Sequence, residues 1–484
     1  VMAPEPVMSD DGRDRSGLAQ IDALLQRGVV VNDVVHDSRQ VTPGSVYVCF
    51  RGASFDGHDF APAALDAGAI AVVCDHVLEG LAATSQIVVD DTRRSAGPIA
   101  AALRGHPSRA MTTVGITGTN GKTTTAQLLE AIFAGAGRRT GVVGTLHGPR
   151  TTPEAPDLQR TLSGFVDDGV QAAILEVSSH ALALHRVDGT EFDAVVFTNL
   201  GRDHLDLHGS QEEYFRAKAM LFGPSFAPLG IVNVDDPHGR LLADSAASDD
   251  FRVVTVSPDQ LSDVEVTASA HRYRWRSLDV EVPIGGRFNV ANSLIALTTA
   301  VELGIEPDVA VAGLRSLAAV PGRFEVVTSP VSDRLGLTVV IDYAHTPDGL
   351  AEILASARAV VGDGGSVTVV FGCGGDRDRP KRPEMGRVAA RLADRVIVTS
   401  DNPRGESPES IIDDIVAGVE DGYRARVVTD PDRRSAITTA LQDVRPGDVV
   451  VIAGKGHETT QEFADRTIEF DDRVVARDVL ETLA

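Results

Sequence analysis

Cysteine is scarce in this sequence. The 484 residues include three cysteines, Cys49, Cys74 and Cys373, which lie far apart and form no C-x-x-C pair. An odd count with long spacings argues against a disulfide framework and against a zinc-binding cysteine cluster. We therefore expect the protein to occupy a reducing compartment, the cytoplasm.

Long hydrophobic runs and positive charge are also missing. No apolar segment approaches the roughly 18 residues that a membrane-spanning helix needs, and residues 1–17 lack the basic-then-apolar pattern of a secretory signal. Lysine and arginine total 45 against 69 aspartates and glutamates, a net charge of −24. This balance argues against non-specific binding to nucleic acid or anionic membranes. An anionic substrate would bind only where local basic side chains or metal ions reverse the field.

The sequence has enough length and apolar content for several cores. A chain of 484 residues suggests about three domains. We predict a small N-terminal α/β domain (1–108, with about the first 16 residues disordered), a central P-loop-type domain with a parallel sheet (109–322), and a C-terminal Rossmann-like α/β domain (323–484). Short apolar runs alternating with helical spacing and turn signals favour this α/β class. We predict a monomer.

A glycine-rich segment stands at the start of the central domain. Residues 115–125 read Gly-Ile-Thr-Gly-Thr-Asn-Gly-Lys-Thr-Thr-Thr, between a predicted strand and a predicted helix. This context is typical of a phosphate-binding loop, whose backbone N–H groups and helix N-terminus surround phosphate oxygens. Lys122 would reach the outer phosphates and Thr123 would bind magnesium. Ile116 stands where the first glycine of the consensus belongs.

Acidic residues and histidines follow two strands of the same domain. Glu176 ends the apolar segment 171–175, and the carboxyl end of a strand is where a doubly wound sheet binds its ligands. Glu176 is therefore predicted to bind the magnesium ion held by Thr123. The strand predicted at 193–197 leads to segment 203–208, which holds two aspartates and two histidines and suits metal or phosphate chemistry.

Four predicted strands of the C-terminal domain end in polar loops, two of which contain glycine. The loops cover 342–347, 372–377, 401–404 and 454–458. In a parallel sheet with right-handed crossovers these loops share one edge and form one binding face. The pattern predicts ATP-dependent chemistry with magnesium. It does not distinguish a ligase from a kinase or a motor ATPase.

Beyond about residue 30, the chain resembles the Mur ligase family. The motifs that carry the resemblance occur in family order and cover 118–124, 176–180, 198–206, 214–218, 342–347, 372–377 and 454–458. Each motif is weak alone, whereas together they are highly specific.

The resemblance implies an ATP-dependent acid–amino-acid ligase of peptidoglycan precursor synthesis, and so a role in cell wall biogenesis, cell shape and cell division. ATP would phosphorylate the D-glutamyl carboxylate of UDP-N-acetylmuramoyl-L-Ala-D-Glu, and the amine of meso-2,6-diaminopimelate would attack the acyl phosphate. Alternatives are the L-lysine-adding ligase of the same family and a folylpolyglutamate synthetase, which lacks the N-terminal nucleotide domain. A non-catalytic nucleotide-binding protein is a further alternative, which the intact motif residues oppose.

The resemblance also assigns roles to individual residues. The implied catalytic residues are Lys122, Glu176, His204 and Lys218. Thr123, Glu176, His204 and Lys218 would hold magnesium, with Lys218 carbamylated; composition alone indicates a surface lysine at 218. The implied ATP-binding residues are Gly118, Thr119, Asn120, Gly121, Lys122, Thr123, Thr124, Asn289, Asn292, Arg323, Asp342 and His345. The implied contacts to the UDP-sugar-peptide are His36, Ser38, Ala53, Ser54, Phe55, Thr151, Thr152, Ser178 and Arg186.

The amino-acid site carries the most specific prediction. Its implied residues are Arg377, Asp401, Asn402, Pro403, Arg404, Gly454 and Glu458. Residues 401–404 resemble the signature of diaminopimelate-adding ligases, since Arg404 and Arg377 can pair with a carboxylate and Glu458 with a distal ammonium. Lysine lacks that carboxylate and would leave Arg404 unpaired. Arg150 and Leu184 depart from the family pattern, standing where some relatives carry Asn and Gln.

Overall fold

The computed structural model describes Ala19 and residues 30–52, 54–203, 205–362 and 364–483. The segment predicted to be disordered and the predicted site residues Ala53 and His204 lie outside the described residues. The chain forms two compact units. The first contains residues up to Gly115 together with Arg139–Asp193 and Gly223–Ala227; the second contains Ile116–Arg138, Ala194–Phe222 and the chain from Pro228 onward.

Strands and helices alternate along most of the chain. The strands are β1 (Asp33–Val35), β2 (Ser45–Val48), β3 (Ala71–Cys74), β4 (Gln86–Val88), β5 (Thr112–Thr117), β6 (Thr140–Val143), β7 (Ala172–Glu176), β8 (Ala194–Phe197), β9 (Leu229–Asn233), β10 (Arg252–Val256), β11 (Ser262–Val266), β12 (His271–Trp275), β13 (Leu278–Val282), β14 (Glu325–Val326), β15 (Thr338–Asp342), β16 (Val367–Phe371), β17 (Arg395–Val398), β18 (Val427–Thr429), β19 (Val449–Ala453), β20 (Thr460–Glu462) and β21 (Thr467–Glu469).

The α-helices are Ala61–Asp66, Thr92–Leu103, Lys122–Gly135, Ala155–Asp167, Ser179–Ala183, Leu205–His208, Gln211–Ala219, Pro237–Ala246, Phe288–Glu302, Pro307–Arg315, Pro330–Leu335, Pro347–Val360, Lys381–Leu392, Pro408–Val416, Arg433–Gln442 and Asp472–Thr482. Short 3-10 turns cover Ser38–Gln40, Gly57–Phe60, Ala83–Ser85, Pro107–Ala110, Pro258–Gln260 and Asp421–Arg426. Within the described residues, no helix combines the length and apolar character needed to cross a bilayer.

The N-terminal sheet is parallel, with strand order β1-β2-β3-β4. Val46 and Val48 pack with Ile99 on one face, while Tyr47 packs with Ala64 on the other. Both faces are therefore covered, which explains why β2 and β3 read as continuous apolar runs rather than alternating ones.

The central sheet has the strand order β10-β9-β8-β5-β7-β6. The pairs β6–β7, β8–β9 and β9–β10 are parallel, and β5 contains the boundary between the two units. Strands β11, β12 and β13 form a separate antiparallel sheet. In β12, His271, Tyr273 and Trp275 are buried while the residues between them are exposed.

The C-terminal sheet has the order β14-β15-β19-β16-β17-β18. Strand β14 is antiparallel to β15, and the other neighbouring pairs are parallel. The carboxyl ends of β15, β16, β17 and β19 therefore meet at one edge, as predicted. Alternate residues cover opposite faces: Val369 and Val451 belong to one core cluster, and Val370 and Ile452 to the other.

A buried ion pair supports this edge. Arg433 and Asp472 are both fully buried, and Arg433 Nε and Nη2 donate to the two Asp472 carboxylate oxygens at 2.8 and 2.7 Å. The same guanidinium donates to the carbonyls of Ser400, after β17, and Ala453, at the end of β19. Arg433 thus ties two strand ends whose loops carry predicted site residues.

Candidate active site

Two glycines shape the turn between β5 and the helix Lys122–Gly135. Gly118 and Gly121 have φ angles of 147° and 86°. A Cβ on Gly118 would lie 1.9 Å from Thr198 Oγ1, and one on Gly121 would lie 2.5 Å from Asn292 Oδ1. Only glycine fits at these positions. The turn leads directly into a helix N-terminus, where an anion is favoured.

Lys122 folds back over this loop. Its Nζ lies 2.9 Å from the Gly118 carbonyl oxygen and 3.0 Å from that of Thr119. Thr119 Oγ1 accepts from the Gly201 amide at 2.9 Å and lies 3.1 Å from the Tyr214 hydroxyl. The loop and its ammonium group are therefore held against the segment that follows β8.

Lys218 is buried, so the surface position suggested by composition is wrong. The side chain lies in the helix Gln211–Ala219, and its Nζ donates to the Gly118 carbonyl at 2.8 Å. Nζ also lies 4.5 Å from the centre of the Tyr214 ring. Burial, reinforced by the charge of Lys122, lowers the pKa of Lys218 well below 10.5, although Asp203 opposes the shift. Desolvation therefore favours the neutral amine.

Two asparagines open the helix Phe288–Glu302 beside the phosphate loop. Asn289 Nδ2 donates to the Gly285 carbonyl at 2.7 Å, and Asn292 Nδ2 donates to Asn289 Oδ1 at 2.9 Å. Both side chains are buried. The close approach of Asn292 to Gly121 places this pair at the loop; their binding of ATP stays a prediction.

Arg323 reaches the same helix N-terminus. Its Nη2 lies 3.4 Å from Thr123 Oγ1, and its guanidinium carbon lies 4.5 Å from the centre of the Tyr343 ring. Asp342 accepts the amide hydrogens of Phe324 and Ala344, each at 2.7 Å, so it fixes the turn that carries Arg323. Burial nevertheless raises the pKa of Asp342.

His345 follows Asp342 on the same loop. Its Nε2 lies 3.9 Å from a carboxylate oxygen of Asp203, and its Nδ1 contacts the Tyr343 carbonyl at 2.8 Å. Burial lowers the pKa of His345, with a further contribution from the charge of Lys381. The end of β15 thus contacts a segment of the central domain.

The predicted amino-acid residues form a hydrogen-bonded cluster at the ends of β17 and β19. Asn402 Nδ2 donates to Glu458 Oε2 at 2.8 Å, while Asn402 Oδ1 accepts from Lys455 Nζ at 3.1 Å. Lys455 also pairs with Glu458 Oε2 at 3.0 Å. Both contacts fall on one carboxylate oxygen, and among the residues that the structure describes none donates to Glu458 Oε1. Asp401 is buried against Gly454, where an added Cβ would lie 2.5 Å from its Oδ2.

Arg404 occupies the next position on this edge. It adopts a φ of 51°, its Nε donates to Glu462 Oε2 at 3.0 Å and its Nη1 donates to the Gly375 carbonyl at 3.1 Å. Its Nη2 donates to none of the residues that the structure describes. Arg377, on the loop after β16, is exposed. Two guanidinium groups with spare donors therefore stand on adjacent loops.

In the first unit, Glu176 is buried at the end of β7. Its two carboxylate oxygens accept from the amide and hydroxyl of Thr145 at 3.0 and 3.1 Å. Thr152 Oγ1 donates to the Glu176 carbonyl at 2.8 Å and accepts from the Ser178 amide at 3.1 Å. Thr151 Oγ1 lies 3.0 Å from Thr145 Oγ1. The structure thus brings three predicted sugar-peptide contacts to the end of this strand.

The N-terminal residues predicted to contact the nucleotide lie on turns. The His36 ring stacks on Phe50 with centroids 5.5 Å apart, and Arg93 lies 4.5 Å from the centre of the same ring. Ser38 begins a 3-10 turn. Phe55, beside Ser54, is 74% exposed, an unusual exposure for a large aromatic side chain.

Profiles of three domains match this chain. The "Mur ligase family, catalytic domain" matches residues 30–104, the "Mur ligase middle domain" residues 116–300, and the "Mur ligase, glutamate ligase domain" residues 322–456.

Similar proteins cover nearly the whole chain. UDP-N-acetylmuramoyl-L-alanyl-D-glutamate–2,6-diaminopimelate ligases from Solibacter usitatus and Streptomyces avermitilis are 42% and 40% identical to it, covering 93% and 95% of this chain and 93% and 94% of their own lengths. The chain belongs to the Mur ligase family. A solved structure of a ligase of that same name is 34% identical, with a TM-score of 0.65 over 94% of this chain and 95% of its own. This Mur ligase is accordingly an ATP-dependent ligase with a three-domain α/β fold.

Several residues that organise the site of this Mur ligase were missed by sequence reasoning. Lys455 is fully buried and holds both Asn402 and Glu458. A signal for it existed: the chain has only four lysines, Lys122, Lys218, Lys381 and Lys455, so its surface cations are arginines. A lysine retained in such a sequence deserves a functional interpretation.

Arg382 was missed because an arginine in a charged helical segment reads as a surface residue. It is fully buried, and it donates to Glu406 at 2.8 and 3.0 Å, to Asp414 at 2.9 Å and to the Gly374 carbonyl at 3.2 Å. Hydrogen bonding to Arg382 holds the pKa of Glu406 well below its usual value. Arg382 thereby joins the loops that carry Arg377 and Arg404.

Glu154 was also missed. It is buried and forms ion pairs with Arg186 at 2.7 Å, Arg150 at 2.9 Å and Arg93 at 3.2 Å. Burial alone would raise the pKa of Glu154, but the surrounding arginines bring it below the usual value. The predicted sugar-peptide contact Arg186 is therefore part of a net positive cluster, in a chain that is strongly acidic overall.

Thr123 and Glu176 belong to different compact units. Their binding of one magnesium ion stays a prediction.

Proposed function

We propose that this Mur ligase adds meso-2,6-diaminopimelate to UDP-N-acetylmuramoyl-L-Ala-D-Glu during peptidoglycan precursor synthesis. The observation that carries the proposal is the position of Arg404 beside the Asn402–Lys455–Glu458 cluster. Arg404 Nη2, which donates to no described residue, suits a distal carboxylate, and Glu458 Oε1, which accepts from no described residue, suits a distal ammonium. The names of the relatives described above support the same substrates.

The reaction requires an activated carboxyl group. A D-glutamyl carboxylate oxygen attacks the γ-phosphorus of ATP, the bond from that phosphorus to the β,γ-bridging oxygen breaks, and ADP leaves. The amine then attacks the acyl phosphate carbonyl, loses a proton and expels phosphate to give the amide. Lys122, held over the loop by two carbonyl oxygens, would stabilise charge on the transferring phosphoryl group.

The residues present suit magnesium. Thr123 would contribute a hydroxyl and Glu176 a buried carboxylate, which are the hard oxygen ligands that this ion prefers. His204 and Lys218 would serve a second ion. When bound, magnesium neutralises phosphate charge.

Lys218 suits a metal only after modification. Its neutral amine would attack carbon dioxide, form an N–C bond and lose a proton, giving a carbamate anion. The lowered pKa of Lys218 supports this step, because only the unprotonated amine is a nucleophile.

The proposal includes the remaining predicted roles. The ATP contacts would be residues 118–124 with Asn289, Asn292, Arg323, Asp342 and His345. The UDP-sugar-peptide contacts would be His36, Ser38, Ala53, Ser54, Phe55, Thr151, Thr152, Ser178 and Arg186. We propose the boundaries 1–108, 109–322 and 323–484 for the three domains. We also propose that the protein acts as a monomer in the cytoplasm.

The test is phosphate release from ATP with UDP-N-acetylmuramoyl-L-Ala-D-Glu and either diaminopimelate, lysine or no amino acid. We expect phosphate release when diaminopimelate is added, and none with lysine or without an amino acid. Arg404→Ala should lower kcat/KM for diaminopimelate by about 10- to 100-fold, the usual effect of losing a charged hydrogen bond. The control is Arg424→Ala, which removes an exposed arginine paired with Asp421 in the same domain.

Either of two results would refute the proposed amino acid. The first is preference of the wild-type protein for lysine, which would identify the L-lysine-adding activity. The second is an Arg404→Ala variant that keeps the kinetics of Arg424→Ala with diaminopimelate. If neither diaminopimelate nor lysine gave phosphate release, the ligase reaction proposed for this substrate would be refuted.

A further inference from the structure

Lysine is almost absent from this protein, and each of its four lysines is placed unusually. The chain uses arginine for nearly all of its positive charge. Lys122 lies over the phosphate loop, Lys218 is buried beneath it, and Lys455 is buried in the amino-acid cluster. Lys381 is the fourth lysine, and neither the relatives' names nor the motifs assign it a role.

Lys381 is buried without a counterion. It is 8% exposed and begins the helix Lys381–Leu392, directly after the loop that follows β16. Within the part of the chain that the structure describes, its side chain forms no hydrogen bond and no ion pair. The next residue, Arg382, is also buried but pairs with Glu406 and Asp414. The side chain is therefore mostly buried while its Nζ keeps contact with solvent, and a cation with no partner among the described residues is open to an anionic ligand.

The surroundings of Lys381 place it at the carboxyl edge of the C-terminal sheet. Burial lowers the pKa of His345, at the end of β15, and the charge of Lys381 lowers it further. Burial raises the pKa of Cys373, after β16, and the charge of Lys381 partly opposes that rise. Asp401 and Asp203 also act on His345, yet neither forms an ion pair with Lys381. His345 Nε2 in turn lies 3.9 Å from Asp203, near Lys218 and the phosphate loop.

We propose that Lys381 binds an anionic oxygen of the reacting centre, supplied by the transferring phosphoryl group or by a carboxylate of the incoming amino acid. The inference rests on the proposed ligase reaction. The first turn of a twelve-residue helix adds partial positive charge at the same place. Lysine, unlike arginine, offers a compact point charge on a flexible stem. That difference explains its retention in a chain that otherwise uses arginine.

The main test compares Lys381→Met with Arg387→Met, which removes an exposed arginine from the same helix. The first measurement is exchange of oxygen-18 between the β,γ-bridging and non-bridging positions of ATP, with the nucleotide-sugar substrate but without amino acid. This exchange reports reversible acyl phosphate formation. The second is kcat and KM for the amino acid in the complete reaction.

If the phosphoryl group is the anion, Lys381→Met loses oxygen exchange by about 100-fold, as expected for a group that stabilises developing charge. If a carboxylate of the amino acid is the anion, exchange is retained and the KM for the amino acid rises by about tenfold or more. Either result supports the proposal. Exchange and KM both within about twofold of Arg387→Met would overturn it.

Two further measurements separate this role from a structural one. Removing an unpaired buried charge should leave Lys381→Met at least as stable to urea as the wild-type protein, although it is impaired in catalysis. Lys381→Arg keeps the charge and should recover only part of the lost activity. A variant that loses stability and activity together, with full recovery by arginine, would instead indicate a packing role. Absence of exchange in the wild-type protein would count against the proposed function, not against Lys381 specifically.

Discussion

A buried lysine is the most informative single residue of this protein. Lys218 donates to the Gly118 carbonyl, lies beside the Tyr214 ring and has a pKa far below that of an exposed lysine. Fold and chemistry meet here, because the same burial that costs stability favours the neutral, nucleophilic form of the amine.

The lowered pKa of Lys218 predicts a pH dependence of stability. Between that native pKa and 10.5, the native amine is neutral while the unfolded amine carries a proton. The unfolded state then binds more protons, so the free energy of unfolding rises with pH, by up to about 1.4 kcal/mol per pH unit. We expect urea unfolding in bicarbonate-free buffer to show this rise in the wild-type protein and a shallower one in Lys218→Met. Equal slopes in the two proteins would contradict the prediction.

At this scale, sequence reasoning found the residues whose chemistry depends on spacing. Gly118, Gly121 and Lys122 were predictable because a strand, a glycine-rich turn and a helix form a local pattern. Arg382 and Glu154 were not, because their partners are distant in sequence and a charged residue usually lies at the surface.

At the scale of elements, apolar runs identified the buried strands, and the end of each run marked a loop. The strand predicted at 193–197 corresponds to β8, which covers Ala194–Phe197 in the structure. The strand order was beyond reach: β19 lies between β15 and β16 although about 80 residues separate it from β16. Local patterns determine where a strand lies in sequence, whereas crossover connections determine its neighbours.

The buried pair Arg433–Asp472 joins strand ends through two helices, which leads to a second prediction. Arg433→Ala should lower the free energy of unfolding by about 3–5 kcal/mol, because it leaves the Asp472 carboxylate buried and unpaired. The double variant Arg433→Met with Asp472→Leu should recover most of that loss. Guanidinium unfolding of the three proteins measures the difference.

The control for this prediction is Arg434→Ala, which removes the neighbouring, half-exposed partner of Asp478 and should cost less than about 1 kcal/mol. A double variant that is less stable than Arg433→Ala would show that the hydrogen bonds to Ser400 and Ala453 matter more than the unpaired charge.

At the scale of the whole molecule, this acidic chain concentrates part of its positive charge in local clusters. A net charge of −24 coexists with three arginines around Glu154 and with lysines confined to four buried or loop-bound positions. This arrangement divides the strongly acidic remainder of the chain from local cationic clusters, where we expect an anionic substrate to bind. The composition predicted this division in general terms, while the identity of the cationic clusters required the fold.

The second compact unit contains a contact between the central and C-terminal domains that should affect catalysis more than stability. Arg202, after β8, pairs with Glu384 at 2.8 Å, and its backbone amide donates to Asp348 at 2.8 Å. Both acidic residues lie on helices of the C-terminal domain. Because these groups are partly exposed, Arg202→Ala should change the free energy of unfolding by less than about 1 kcal/mol. It should raise the KM for the amino acid several-fold, since a misplaced domain costs alignment of the reacting groups.

The matched control is Arg358→Ala, which removes a similarly exposed pair with Asp394 inside the C-terminal domain and should leave KM unchanged. Equal KM values for the two variants would show that the Arg202 contact does not position the domains for reaction.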